Sequence, residues 1–305
     1  MNVLVLVGPT ASGKTLVSVH LARLLGGEII SADSRQVYRN LDIGTAKPPP
    51  TILKKIRHHC INERDPDQEF SAGEFGILGR KRIEEIFSRS KQPIVVGGSG
   101  LYVQSLIDGL FEGPAANQEV RRRLEERVVK EGTEALLKEL RRVDPESAAR
   151  ADATKPRRII RALEVYELTG KPLSKHHVEA AVSVSFGSSI YGLSWDREAL
   201  YRRIEGRCDA MLKEGLLREV EALEGRGYAP SLNALNTVGY AEAFAYRRGE
   251  LSFEEMVRLF KQNSRRYAKR QLTWFRRDKR IEWIAMDSER KPKDIALEIA
   301  RKFRD

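Results

Sequence analysis

Residues Gly8-Pro9-Thr10-Ala11-Ser12-Gly13-Lys14-Thr15 read G-x-x-x-x-G-K-[ST], a spacing that cradles phosphate. The backbone N–H groups of such a loop, a following helix N-terminus and the Lys14 ammonium converge on one anion, and the Thr15 hydroxyl can hold Mg²⁺. A chance match in a glycine-rich turn is the bland alternative. The flanks argue against it: Val3–Val7 is a short apolar run of strand type, and Leu16–Leu25 has helical periodicity. The loop selects a ligand class, phosphates or diphosphate, and leaves the reaction open. An acid stands close by: Asp33, just after a second strand signal at Glu28-Ile29-Ile30-Ser31. In a parallel sheet, loops at the carboxyl ends of adjacent strands share one crevice, so Asp33 and Lys14 can face one ligand. Asp33 then serves as a general base beside bound diphosphate; its plainer role is a helix N-cap after the strand. Kinases and NTPases usually carry an Asp ending a buried apolar strand. Here Ile94-Val95-Val96 runs into Gly97-Gly98-Ser99-Gly100 without a carboxylate. A small-molecule kinase and a transferase from which diphosphate departs both remain compatible.

The elements that must position these residues alternate in type up to about residue 110. Ser71 to Ser90 reads as a helix, with Ser71 and Glu74 spaced as a capping box. Pro93–Val96 reads as a buried strand. Strands alternating with helices predict an α/β fold, a parallel sheet flanked by helices. The pattern changes near Gly113-Pro114. From Asn117 to Thr169 the chain is helical and charged, with Val120, Leu124 and Val128 on one face, Leu136, Leu137 and Leu140 on the next, and Pro145 and Pro156 as separators. Strand character returns at Ile190–Leu193. We therefore expect a core of residues 1–114 and 187–287, an all-helical insertion at 115–186, and a C-terminal tail at 288–305. A continuous α/β domain with its helices bunched together is the alternative.

The net charge of +11 points to a polyanionic partner, with nucleic acid first. Lys261 to Arg280 concentrates that charge, with Tyr267, Trp274 and Phe275 interleaved, a pattern suited to phosphate contacts and base stacking. A solvated helix face with core aromatics would read the same way. Arg203 and Arg207 fall at i, i+4 on one helix face. Cys60 and Cys208 are too far apart in sequence to suggest a framework, and His58-His59-Cys60 reads better as a strand edge than as a zinc ligand cluster. No apolar stretch approaches the ~20 residues of a membrane span, and the N-terminal run is short for a signal peptide. A cytoplasmic protein without membrane partners is expected, and a monomer.

Six segments, taken in order, resemble the tRNA dimethylallyltransferase family. They are Gly8–Thr15, Ser31-Ala32-Asp33-Ser34-Arg35-Gln36-Val37-Tyr38, Asp42-Ile43-Gly44-Thr45-Ala46-Lys47-Pro48, Gly97–Tyr102, Arg158–Val165 and Ala268–Arg276. The resemblance runs from residue 3 to about 284. It implies a P-loop NTPase-like core with a helical insertion. It also implies transfer of the dimethylallyl group of dimethylallyl diphosphate to N6 of adenosine 37 of tRNAs reading codons that begin with U. Asp33 stands at the family's base position, and Asp33, Lys14 and Thr10 form the implied catalytic set. Residues Gly8, Pro9, Thr10, Ala11, Ser12, Gly13, Lys14 and Thr15, with Arg203 and Arg207, would hold the diphosphate, with Mg²⁺ on Thr15. Matching positions for contact with the tRNA anticodon stem-loop are Asp33, Ser34, Arg35, Gln36, Ser99, Arg121, Arg157, Arg158, Ile159, Ile160 and Arg161. Lys269, Arg270 and Arg276 add backbone contacts. Ser99 also suits a helix N-cap. Where relatives often have Asn-Asp-Pro-Gln, this chain has Ala153-Thr154-Lys155-Pro156-Arg157, which suits phosphate at Arg157 better than a base.

Three rivals stand beside this reading. An isopentenyltransferase acting on free AMP, ADP or ATP needs neither the helical insert nor the basic segment. A small-molecule kinase lacks its strand-end Asp here. A non-enzymatic RNA-binding module leaves Lys14 and Asp33 without purpose.

Overall fold

The computed structural model describes residues 1–109, 114, 117–179 and 184–305. It divides into two compact units, Met1–Ile107 with Val184–Asp305, and Asp108–Ser183. The first runs β1 (Asn2–Val7), α1 (Lys14–Leu25), β2 (Gly27–Ala32), α2 (Pro50–Leu53), β3 (His58–His59), α3 (Ala72–Ser88), β4 (Gln92–Gly97) and α4 (Gly100–Ile107). The helical unit holds α5 (Gln118–Glu131), α6 (Thr133–Val143), α7 (Pro145–Ala149), α8 (Pro156–Thr169) and α9 (Leu173–Glu179). The first unit resumes with β5 (Gly187–Trp195), α10 (Arg197–Glu214), α11 (Leu216–Gly225), α12 (Tyr240–Arg247), α13 (Phe253–Phe275), β6 (Ile281–Met286) and α14 (Pro292–Arg304). Gly113, where the sequence changes character, lies outside the described residues.

The six strands form one sheet in the order β3-β2-β4-β1-β5-β6, and every pairing is parallel. Its central strand shows why. Side chains alternate across a strand, and in β1 Val3, Val5 and Val7 join the apolar core on one face while Leu4 and Leu6 join that on the other. A strand apolar at every position is stable only with helices on both faces. The parallel order brings the ends of β1, β2, β4 and β5 to one edge, where the phosphate loop, Asp33 and Gly98 follow their strands and Trp195 ends β5. The capping box of α3 is formed, Ser71 Oγ accepting the Glu74 N–H at 3.1 Å and Glu74 accepting the Ser71 N–H at 2.7 Å.

One reading of the elements differs from the structure. The segment 288–305 is no tail. Pro292 opens α14, whose Ile295, Ala296, Ile299 and Ala300 enter the same core as Val17 and Leu21 of α1. The histidine run is the edge strand β3, in agreement with its strand-edge reading, with His59 Nε2 2.7 Å from a Glu28 carboxylate oxygen that Arg89 also binds at 2.8 Å.

In the helical unit, Leu124, Leu136, Leu137, Leu140, Ile159, Ile160 and Leu163 make the core. Pro145 and Pro156 stand at the starts of α7 and α8, where a missing N–H costs nothing. Asp144, fully buried, accepts the N–H groups of Ser147 and Ser174 at 3.0 Å each. Burial pushes its carboxyl up, but those bonds outweigh it and hold the group below the usual carboxylate range.

Candidate active site

The phosphate loop turns between β1 and α1 on residues that only special backbone geometry allows. Gly13 has φ 94°, a region nearly closed to side-chain residues, and Ala11 has φ 61°. Three side chains from distant elements tie the loop down. Trp195 Nε1 donates to the Ser12 carbonyl at 3.0 Å, and Arg203 Nε donates to the Ala11 carbonyl at 2.9 Å while its guanidinium stacks on Trp195. Gln271 Oε1 accepts the Thr10 N–H at 2.8 Å. The sequence reading turned the backbone N–H groups of the whole loop toward the ligand. Thr10 is already engaged by Gln271 and Ser12 by the Pro9 carbonyl. Among the described residues, the N–H groups of Ala11, Gly13, Lys14 and Thr15 meet no protein acceptor and stay open to an anion.

Lys14 folds back over its own loop, its Nζ donating to the Gly8 and Pro9 carbonyls at 2.8 and 2.7 Å. Burial, then the charge of Arg207, lowers its ammonium to about 7, with Asp33 acting in the opposite sense. Arg207 is itself held below its ordinary value by burial, and Arg203 likewise.

A cavity of about 420 Å³ opens on this loop. Its charged lining is Lys14, Arg35, Arg203 and Arg207 against Asp33 alone. Four cations and one acid around a pocket fit a polyanionic ligand. The deeper wall is apolar, with Ile204, Met211, Val238 and Phe260. Asp33 Oδ1 accepts the Arg35 N–H at 2.9 Å and the Gln36 N–H at 3.4 Å. The turn-capping role and the cavity-facing role therefore coexist, because the second oxygen stays free of these bonds. An acid does follow a strand beside β1: Asp196, after β5. It caps α10 through the Glu198 and Ala199 N–H groups and does not line the cavity.

A second cavity, of about 350 Å³, shares Arg35, Gly98, Tyr267 and Gln271 with the first. Trp274 and Arg270 lie on its outer wall. Burial, then the charge of Asp33, pushes the Tyr267 phenol up to about 12, so the group stays protonated. Among the described residues no group of three His, Cys, Asp or Glu could hold a metal. Thr15 and Asp33 both line the first cavity, and their oxygens suit a hard cation that completes its shell with phosphate oxygens and water.

A family model described as IPP transferase matches residues 36–278. The chain belongs to the IPP transferase family. The tRNA dimethylallyltransferase 2 of Geotalea uraniireducens is 44% identical over 285 residues, covering 93% of this chain and 92% of that protein. The tRNA dimethylallyltransferase of Acetivibrio thermocellus is 46% identical over 288 residues, with 94% and 92% covered. Among solved structures, the full-length tRNA isopentenylpyrophosphate transferase of Bacillus halodurans superposes with a TM-score of 0.72 at 39% identity, over 99% of this chain and 97% of that one. A eukaryotic dimethylallyltransferase acting on tRNA superposes with a TM-score of 0.82 at 27% identity, over 99% and 79%.

In this IPP transferase chain the other expected site residues fall into three groups. Ser34, Arg35, Gln36 and Ser99 lie beside Asp33, with Ser99 Oγ accepting the Ser34 N–H at 3.0 Å while the Ser99 carbonyl accepts the first N–H groups of α4. Lys269 and Arg276 are exposed on α13 and its end without acid partners among the described residues, and Arg270 lies over the Tyr267 ring. By contrast Lys261 and Arg265 pair with Asp209 and Glu205. Of the interleaved aromatics, Phe275 is core and Trp274 is exposed.

The third group lies in the helical unit. Arg157 and Arg158 are exposed and unpaired among the described residues. Arg121 and Arg161 bind the fully buried Glu164, at 2.9 and 2.8 Å. Burial raises the Glu164 carboxyl, but these arginines and the Asn117 N–H bring it below its usual range. Ile159 and Ile160 are 0% and 6% exposed, core residues whose side chains have no surface to offer RNA. The sequence reading missed Trp195 and Gln271 as supports of the phosphate loop. Nothing local marks them, since their partners lie 183 and 261 residues away.

Proposed function

We propose that this chain is a tRNA dimethylallyltransferase that moves a dimethylallyl group from dimethylallyl diphosphate to N6 of adenosine 37 in tRNAs reading codons that begin with U. One observation carries the reading: a single cavity joins a cation-lined phosphate loop, a lone carboxylate and an apolar wall. The diphosphate lies on the open N–H groups of Ala11, Gly13, Lys14 and Thr15, with Lys14, Arg203 and Arg207 around it. The allyl chain packs on Ile204, Val238 and Phe260. The adenine N6 lone pair forms the new bond to the allylic carbon as the carbon–oxygen bond breaks, and that electron pair leaves on the diphosphate. Asp33 takes the N6 proton. Preorganised donors are worth most here because charge grows on the leaving group; losing one such donor typically costs about 3 kcal/mol of barrier. Mg²⁺ held by the Thr15 hydroxyl, when bound, neutralises part of that charge.

The acceptor is the anticodon stem-loop, with the base turned out of its stack toward Asp33. Arg157, Arg158, Lys269, Arg270 and Arg276 supply phosphate contacts, and Trp274 a stacking surface. The protein works as a cytoplasmic monomer in this reading. The test gives the enzyme Mg²⁺, labelled dimethylallyl diphosphate and, side by side, unmodified tRNA with A36-A37-A38, the same tRNA with G37, and AMP. Label on the first alone is expected. Label on AMP in preference to tRNA would replace the reading with a nucleotide-directed enzyme.

A further inference from the structure

We infer that Gln271 is a positioning residue that sets the phosphate loop against the turn after β4, and thereby donor against acceptor; this rests on the function proposed above. The ladder between β1 and β4 ends at Val7 and Gly97. Beyond it the two chains separate into the phosphate loop and the Gly98 turn. The Gln271 amide spans that gap as one further rung. Its Oε1 accepts the Thr10 N–H at 2.8 Å, and its Nε2 donates to the Gly98 carbonyl at 2.9 Å. The residue is only 8% exposed, and its bond to the Gly98 carbonyl is buried, that to the Thr10 N–H partly so. The fit is tight on the Gly98 side, where a Cβ would overlap Nε2.

The rung stands where the chemistry must happen. Gln271 lines the diphosphate cavity and the second cavity alike. Thr10 lines the first cavity and Gly98 lines both, so the bonds that hold them set the two walls between which diphosphate and acceptor base would meet Asp33. The strut has a polarity: one end must accept and the other must donate. An amide satisfies this at any pH. A carboxylate does not, because both its oxygens accept and one would oppose the Gly98 carbonyl. A protonated carboxylic acid satisfies it again, with O–H toward Gly98 and C=O toward Thr10.

That polarity supplies the test. Wild type, Gln271→Glu and Gln271→Leu are compared for kcat and KM in dimethylallyl transfer to tRNA between about pH 6 and 8.5. Rates are expressed as a ratio to wild type at each pH. Lys14, Asp33, Arg35, Arg203, Arg207, Cys208, Tyr267 and Arg270 line the same two cavities and are common to all three proteins, so the neutral Leu variant sets the pH baseline against which the Glu profile is read. The Leu variant should lose roughly 10²-fold in kcat at all pH values, the scale of a misplacement of about 1 Å, with KM for dimethylallyl diphosphate changed far less. The Glu variant should match Leu at high pH and recover toward wild type as pH falls. Flat ratios for Glu, or a kcat within about twofold of wild type for Leu at any pH or for Glu at the high-pH end, would overturn the inference. If Leu fails to fold, the Glu profile alone decides. Absence of transfer by wild type would overturn the functional reading, and this inference with it; wild-type transfer with unperturbed variants overturns this inference alone.

Discussion

Replacing Asp33 by Asn separates two jobs that one carboxylate performs. Oδ1 holds the turn by accepting the Arg35 N–H at 2.9 Å and the Gln36 N–H at 3.4 Å. An Asn oxygen can do the same, so folding stability should change by less than about 0.5 kcal/mol. An Asn amide cannot take a proton from N6. Loss of a general base lowers rates by about 10²–10⁴, or about 3–5 kcal/mol of barrier. Asp33→Ala should lose the same rate and about 1 kcal/mol of stability besides, because two N–H groups lose their acceptor. The assay is single-turnover transfer of labelled dimethylallyl groups, with tRNA affinity and thermal unfolding measured on the same samples. Asn turnover within about threefold of wild type would refute the base assignment. An Asn variant as destabilised as Ala would refute the division of labour between the two oxygens.

Four other outcomes follow from the geometry. Lys14 is lowered to about 7 by burial, so above that pH the ligand-free enzyme has lost a proton that bound diphosphate should restore. Calorimetry of dimethylallyl diphosphate binding near pH 8.5, in buffers of different ionisation enthalpy, should show close to one more proton taken up by wild type than by Lys14→Ala, and affinity should fall as pH rises. Arg157→Ala and Arg158→Ala should each lower the salt slope of tRNA binding by a little under one unit. Arg121→Ala should instead destabilise the helical unit by about 1.5–3 kcal/mol, since it removes a charged hydrogen bond to buried Glu164; an unchanged melting curve would count against this sorting. Asp144→Ala strips two helix N-caps and should cost about 1–4 kcal/mol in urea unfolding. Its folded carboxyl lies below the unfolded value, so wild-type stabilisation by this group is full above about pH 4 and fades on acidification, while the variant lacks that dependence.

What the chain disclosed without a structure was the local and periodic part. Val3–Val7, the Gly8–Thr15 loop, the Ser71 capping box and Asp33 after its strand are short-range patterns, and all were read where they occur. The α14 segment escaped because its core face rests on only two isoleucines and two alanines among charges. The arginines of the insertion looked alike in sequence; burial of Glu164 alone separates Arg121 and Arg161 from Arg157 and Arg158. Gln271 and Trp195 support the phosphate loop across 261 and 183 residues, a relation that no spacing rule carries.

The central claim is that this phosphate loop holds a diphosphate that departs, and that no nucleoside triphosphate is consumed. The direct measurement is a product balance with purified enzyme, Mg²⁺, dimethylallyl diphosphate and unmodified tRNA, without ATP. The account predicts one diphosphate released for each N6-dimethylallyladenosine formed at position 37, unchanged when ATP is added. A requirement for ATP, or diphosphate release without prenylated RNA, would contradict it.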